Sequence, residues 1–310
     1  MLPEISVIVP LKNEEKNVFE LYTRLTAVLN KIALPYEIIL IDDGSKDNTF
    51  FAIEKFAKED SHIKYISFSR NFGHQAALFA GLEKCQGNYA ILIDGDLQDP
   101  PEAIERLFTK IKEGYNIVYA KRLSRKGETF FKKLTAKFFY RLLNNITATS
   151  IPLDTGDFRI MDRKVTDELL RMKEPNKFLR GQIAWLGFKE SFITYSREER
   201  KNGNTSFRYS NMFQFAFDGI TGFSNFPLKF ASLSGIVVSV FAFAFIVYVL
   251  LAKLVWGQTI TGWASMMVTI LFLGGIQLLS IGIIGEYISR INDAVRNRQP
   301  YIIDKTNIEV

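Results

Sequence analysis

From Phe230 to Gly285 the chain carries one charged residue, Lys253. A helix of about 20 apolar residues crosses a bilayer. This stretch holds two such lengths, from about Phe230 to Ala252 and from about Ala264 to Gly285. Between them lies Trp256-Gly-Gln-Thr-Ile-Thr-Gly-Trp263, polar, glycine-bearing and bracketed by tryptophans that suit a membrane interface. Two consecutive helices apolar on every face are rare inside a soluble domain, so a C-terminal two-helix transmembrane hairpin is expected. The average of 47% hydrophobic and 23% charged residues conceals this split.

Lys229 precedes the first span, and Arg290, Arg296 and Arg298 follow the second. The bias of basic residues away from the short loop predicts both termini on the cytoplasmic side, hence a multi-pass protein of the cytoplasmic membrane. The expected division is a cytoplasmic α/β domain over residues 1–228, two spans over 229–287 and a cytoplasmic tail over 288–310. No secretory leader pattern opens the chain, which starts directly with a strand. The lone cysteine, Cys85, rules out an intrachain disulfide and fits a reducing compartment. A net charge of +6 suits an anionic membrane face. No basic helix or aromatic-basic repeat supports a nucleic-acid partner.

The polar part alternates short apolar runs with helical periodicity. Strands are expected at Ile5–Pro10, Glu37–Asp42, Lys64–Phe68, Tyr89–Asp94 and Ile117–Ala120. Helices are expected over residues 13–30, 47–59, 74–84 and 101–113. Short connections between them predict a mostly parallel sheet flanked by helices. Ligands of such sheets bind beyond the carboxyl ends of the strands. The groups that matter are therefore Asn13 and Glu14, Asp42 to Ser45, Ser69 to Asn71, and Asp94 to Asp96, all expected at one edge.

Asp94 and Asp96 flank Gly95, and in extended geometry residues two apart point the same way. Two carboxylates aimed together repel unless a cation sits between them. Mg²⁺ or Mn²⁺ completed by diphosphate oxygens fits such a half-site, and Gln98 adds a neutral oxygen. Gly95 is expected to let a ligand approach the backbone. Asp42 and Asp43 either accept hydrogen bonds from a nucleobase or ribose, or cap the following helix. Glu14 either touches nucleotide or complements a helix dipole. The chain has no G-x-x-x-x-G-K-[ST] loop and no G-x-G-x-x-G after its first strand. His62 and His74 lack the cysteine company of a zinc site, and His74 reads as a helix-start residue near nucleotide.

Placed in this order, six stretches make the chain resemble family 2 inverting glycosyltransferases of the GT-A fold. They are Val9-Pro-Leu-Lys-Asn-Glu-Glu15, Ile41-Asp-Asp-Gly-Ser-Lys-Asp47, Ser69-Arg-Asn-Phe-Gly73, Asp94-Gly-Asp-Leu-Gln-Asp-Pro-Pro-Glu102, Asp154-Thr-Gly-Asp-Phe-Arg-Ile-Met-Asp-Arg163 and Ile281-Gly-Ile-Ile-Gly-Glu-Tyr287. The narrower resemblance is to polyprenyl-phosphate glycosyltransferases, the bactoprenol glucosyl transferase and dolichyl-phosphate mannose synthase group. It implies nucleotide contacts at Pro10, Glu14 and Asp43, a sugar-nucleotide and metal contact at Asp94, and metal ligands at Asp96 and Gln98. It also implies an acidic group near the acceptor at Asp157, and phosphate-holding groups at Arg122 and Arg125, then Arg200 with Gly203 and Thr205. Ser206 stands where a basic residue is commoner, with Arg208 placed to compensate.

The expected reaction is inverting transfer of a hexose, glucose from UDP-glucose, to polyprenyl (undecaprenyl) phosphate. A phosphate acceptor is already ionised near neutral pH, with a second pKa of ~6, so base catalysis is less needed than for a hydroxyl. Asp157 is then expected to position Arg122 or exclude water. Residues 129–143 and 210–226 read as interfacial amphipathic helices. GDP-mannose as donor, a catalytically inactive nucleotide-sugar-binding scaffold and a homo-oligomeric state stay open. A processive synthase is disfavoured because Gln182-Ile-Ala-Trp185 lacks Q-x-x-R-W and two spans are too few for a polymer channel.

Overall fold

The computed structural model describes residues 2–123, 155–172, 174, 177–196, 226–256, 262–296 and 298–308. They belong to two compact units. One holds the sheet and includes the residues from 298 onward, and the other holds two long helices.

The first unit is built on an eight-stranded sheet. Its strands are β1 (Ile5–Leu11), β2 (Tyr36–Asp42), β3 (Ile63–Phe68), β4 (Tyr89–Leu92), β5 (Ile117–Arg122), β6 (Thr155–Asp162), β7 (Glu190–Tyr195) and β8 (Ile303–Thr306), in the order β7-β5-β6-β4-β1-β2-β3-β8. The pairs β4–β1, β1–β2, β2–β3 and β5–β7 are parallel, whereas β6 and β8 run antiparallel to their neighbours. The mostly parallel sheet expected from the alternating pattern is therefore present. The antiparallel β6 and β8 lie outside the stretch where that pattern operates.

Period-two side-chain alternation divides the core into two layers. Ile5, Val7 and Val9 of β1, with Ile38 and Leu40 of β2, face helices α1 (Val18–Ile32), α2 (Thr49–Glu59) and α4 (Ala103–Ile111). Ile8, Ile39 and Ile41 face α3 (His74–Lys84), α5 (Arg163–Arg171) and α6 (Leu179–Leu186). The α3 helix is small along its sheet face. A Cβ on Gly81 would strike Ile8, so α3 lies close against β1 and carries His74 to the strand ends. Cys85 is buried, and burial pushes its thiol pKa up to about 12, consistent with an inert packing residue.

The structure differs from the periodic reading at three points. Helix α1 begins at Val18, because Asn13 adopts φ 54° and residues 13–15 bond the segment from Ser45 to Thr49 instead. Strand β4 ends at Leu92, so Asp94 and Asp96 lie in a turn, not on an extended strand. Residues within the expected tail form β8, which joins the sheet beside β3.

The second unit holds α7 (Phe226–Trp256) and α8 (Trp263–Arg296), of 31 and 34 residues. Their apolar side chains are exposed on many faces, Phe241 at 73% and Leu278 at 72% among them. Both contain stretches long and apolar enough to cross a membrane, Pro227–Phe245 and Val268–Arg296.

Candidate active site

The turn after β4 brings Asp94 beside two groups far away in sequence. His74, at the first turn of α3, places Nε2 3.2 Å from Asp157 Oδ2 and 3.4 Å from Asp94 Oδ1. Asp157 comes from β6, which lies next to β4, and is almost fully buried. Arg180 of α6 grips it with two bonds, Nε to Oδ1 at 2.9 Å and Nη2 to Oδ2 at 3.0 Å. The fully buried Arg159 adds a third, Nη2 to Oδ1 at 3.1 Å. Burial alone would raise the Asp157 pKa, but the Arg180 charge, the His74 bond and Arg159 hold it well below the usual carboxylate range. Asp157 is an ionised anchor.

Asp94 has the opposite environment. Burial lifts its pKa to about 6; His74 opposes this, while Asp157, Asp99 and Asp96 add to it. Its Oδ1 is buried and makes no hydrogen bond among the described residues. A hard divalent cation would satisfy that oxygen and relieve the repulsion. His74, Asp94 and Asp157 bring ligand atoms within 4.8 Å of one another. Of these, Asp157 already faces two guanidinium groups, which makes it a poor third ligand. Asp96 and Gln98 follow in the same turn, with Gln98 N donating to Asp96 Oδ1 at 3.1 Å. Gly95 also serves the packing of the turn. A Cβ there would collide with Leu11 and come within 3.1 Å of the Pro10 carbonyl oxygen, so the glycine seats the turn on β1.

Arg122 ends β5 and is held by other partners than Asp157. Its Nε donates to Tyr195 Oη at 3.0 Å, and Nη2 lies 3.5 Å from Asp99 Oδ2. Tyr195 also donates to the fully buried Asp99. The side chain of Arg122 passes so close to Gly156 that a Cβ there would sit 2.7 Å from Nη2.

Over the ends of β1, β2 and β3 opens a cleft of about 720 Å³, lined by Lys12, Asn13, Asp42, Ser45, Ser69 and Arg70 among others. Three of the four expected clusters meet there, and the fourth lies with His74. Asp42 accepts from Ser45 N and from Ser67 Oγ, each at 3.2 Å. Asp43 takes the backbone N–H groups of Phe72 and Gly73 at 2.7 and 3.1 Å, tying β2 to the start of α3. Glu14 accepts from Asn17 Nδ2, and its own N–H donates to Thr49. Arg125, Arg200, Gly203, Thr205, Ser206 and Arg208 and most of both expected interfacial helices lie outside the described residues.

The model of the family described as Glycosyl transferase family 2 matches residues 6–170, a span that includes Glu14, Asp42, Asp43, Asp94, Asp96, Asp99 and Asp157. The chain belongs to glycosyl transferase family 2. Its relatives extend the match over the long helices as well. An uncharacterized glycosyltransferase, YkcC of Bacillus subtilis (strain 168), is 49% identical over 98% of this chain and 94% of its own length. The SfII prophage-derived bactoprenol glucosyl transferase of Shigella flexneri is 40% identical, with 98% of each chain covered. Among solved structures, the glucosyl-3-phosphoglycerate synthase of Mycobacterium tuberculosis is similar at TM-score 0.48 and 18% identity, over 71% of this chain and 76% of that one. That likeness is too loose to bear on individual residues.

For a member of family 2, the carboxylates were legible from the sequence. Asp99 and Arg159 stand in the quoted stretches without a role of their own there, and Arg180 and Tyr195 are not marked in the sequence at all. Arg180 sits in Phe178-Leu-Arg-Gly-Gln182, where no pattern of period or spacing marks it. Only the fold brings it to Asp157.

Proposed function

We propose that this family 2 glycosyltransferase moves a hexosyl group, glucose from UDP-glucose, onto a polyprenyl phosphate such as undecaprenyl phosphate, with inversion. The observation that carries the reading is the paired environment of Asp94 and Asp157 at the strand ends. One is a half-buried carboxylate whose occluded Oδ1 makes no hydrogen bond among the described residues and lies 3.4 Å from His74 Nε2, and the other is locked ionised by arginines. Support for the acceptor comes from the relatives named bactoprenol glucosyl transferase and from helices able to lie in a bilayer.

The acceptor phosphate oxygen attacks the anomeric carbon as the bond to the nucleoside diphosphate breaks, and the diphosphate leaves with the electron pair. No proton has to move, because the phosphate is already ionised. This accords with Asp157, whose low pKa makes it a weak base. Its work is to hold Arg180 and His74 in place. Arg122 has further N–H groups beyond those spent on Asp99 and Tyr195; these, with Arg125, Arg200 and Thr205, would hold phosphate. Mg²⁺ or Mn²⁺ held by Asp94, Asp96 and Gln98 would neutralise charge on the leaving diphosphate. Pro10, Glu14, Asp42 and Asp43 frame the nucleotide end, and the catalytic domain faces the cytoplasm.

The test is transfer of radiolabel to the lipid fraction by the full-length protein, with undecaprenyl phosphate, divalent cation and a panel of UDP- and GDP-sugars. Metal-dependent transfer from UDP-glucose is expected. Transfer of mannose from GDP-mannose but not of glucose would overturn the donor, and no transfer from any donor would overturn the enzyme.

A further inference from the structure

Strand β8 comes after both long helices in sequence, yet it forms an edge of the catalytic sheet. Its ladder is irregular. Ser67 stands opposite Lys305 and Phe68 opposite Ile303, which leaves Asp304 as the extra residue of a β-bulge. Bulges re-aim a side chain out of the regular alternation. Ile303 packs with Phe68 in the core, and Lys305 Nζ lies 5.2 Å from the centre of the Phe50 ring. Asp304 between them lines the cleft with Asp42, Ser69 and Arg70.

The segment is firmly held. Ser69 N donates to Ile302 O at 3.0 Å, Thr306 Oγ1 to Tyr65 O at 2.8 Å, and Asn307 Nδ2 to Ile63 O at 3.0 Å. Tyr301 stacks on Phe68 with ring centroids 4.9 Å apart. Asp304 itself makes no hydrogen bond or ion pair among the described residues. Both oxygens of Asp42, in contrast, are already accepting. Asp304 therefore brings to the cleft a fixed backbone and a carboxylate with uncommitted lone pairs.

We infer that Asp304 reads the nucleoside portion of the donor by accepting a hydrogen bond from a ring N–H or a ribose hydroxyl. The inference rests on the proposed reaction and extends it to a residue beyond the membrane helices. From β4, which leads to Asp94, to β3 is three strand spacings, about 14 Å at ~4.8 Å each. A diphosphate at Asp94 thus leaves its nucleoside over β2 and β3, beside β8. A carboxylate at that end meets hydrogen-bond donors; at the other it would repel phosphate.

The experiment uses full-length protein in detergent, with UDP, GDP and inorganic diphosphate as probes. Asp304→Ala and Asp304→Asn are expected to weaken nucleoside diphosphate binding about five- to tenfold, and to raise donor KM more than they lower kcat. Inhibition by inorganic diphosphate should not change, because it contacts only the phosphate end. Wild-type affinity in both variants would overturn the inference while leaving the reaction standing, provided that wild-type protein binds the nucleotide. Parallel loss of nucleotide and inorganic diphosphate would also overturn it, since Asp304 would then act through the strand's folding. If wild-type protein binds neither nucleotide, the reading of the cleft fails and this inference with it. Weakened binding of GDP in place of UDP would support Asp304 and correct the base.

Discussion

Asp94 and Asp157 lie a few ångströms from one imidazole and titrate in opposite directions. The raised Asp94 pKa, about 6 against an unfolded value of ~3.9, means that folding favours its protonated form. Its contribution to stability is present below the unfolded value and is lost as pH rises through about 6. A bound cation removes that cost. Mg²⁺ or Mn²⁺ should therefore raise Tm more at about pH 7.5 than at about pH 5, and Asp94→Asn should flatten both effects in differential scanning fluorimetry. An equal shift at both pH values would count against metal binding at Asp94. For Asp157 the sign reverses. Its depressed pKa supplies stability above the unfolded value, and this is lost as pH falls through the folded one. Asp94 stands out in the sequence by following an apolar strand, and Asp157 only through the motif that carries the family resemblance. Their environments do not, because a charge partner such as Arg180, 23 residues away from Asp157, is assigned only by packing.

Elements matter here for what they bring together. Strand β5 carries Arg122, β7 carries Tyr195, and the turn after β4 carries Asp99; the three meet at one point. Tyr195→Phe removes a hydroxyl shared by a fully buried carboxylate and a guanidinium. It should cost about 1–3 kcal/mol of stability and loosen Arg122. The expected result is a fall of about tenfold in kcat/KM for the lipid phosphate, with a larger effect on acceptor than on donor KM. An unchanged acceptor KM would remove Arg122 from acceptor binding. The first five strands were readable because buried parallel strands are continuous apolar runs. Strand β8 was not. Ile303-Asp-Lys-Thr306 is short and half polar, and its partner β3 is about 240 residues away, as in the 242-residue separation of Tyr65 and Asn307. Strand β6 was seen only as a motif, since its antiparallel insertion between β4 and β5 is a property of topology.

At the scale of the molecule, α7 and α8 measure about 46 and 51 Å at 1.5 Å per residue. Both exceed the ~30 Å hydrocarbon core. The final turns of α8 carry Glu286, Arg290, Asp293 and Arg296, with Arg290 paired to Glu286 at 3.0 Å, as suits a helix end emerging into water. Cysteines placed singly in residues 257–261 should react with an impermeant maleimide added outside intact cells. Cysteines near either terminus should react only after lysis. The native thiol at Cys85, buried and with its pKa raised to about 12, should stay silent. Labelling of a terminal cysteine in intact cells would reverse the orientation.

The return of β8 also sets an order of events during synthesis. Its partner edge on β3 is complete once residue 68 has left the ribosome, but the residues that cover it are made only after both long helices. Until then β3 presents unpaired backbone groups of the kind that recruit other chains. The sheet can be finished only once translation has passed both long helices. Chains stopped before residue 298 would keep that edge open, so loss of the last dozen residues should appear first as aggregation.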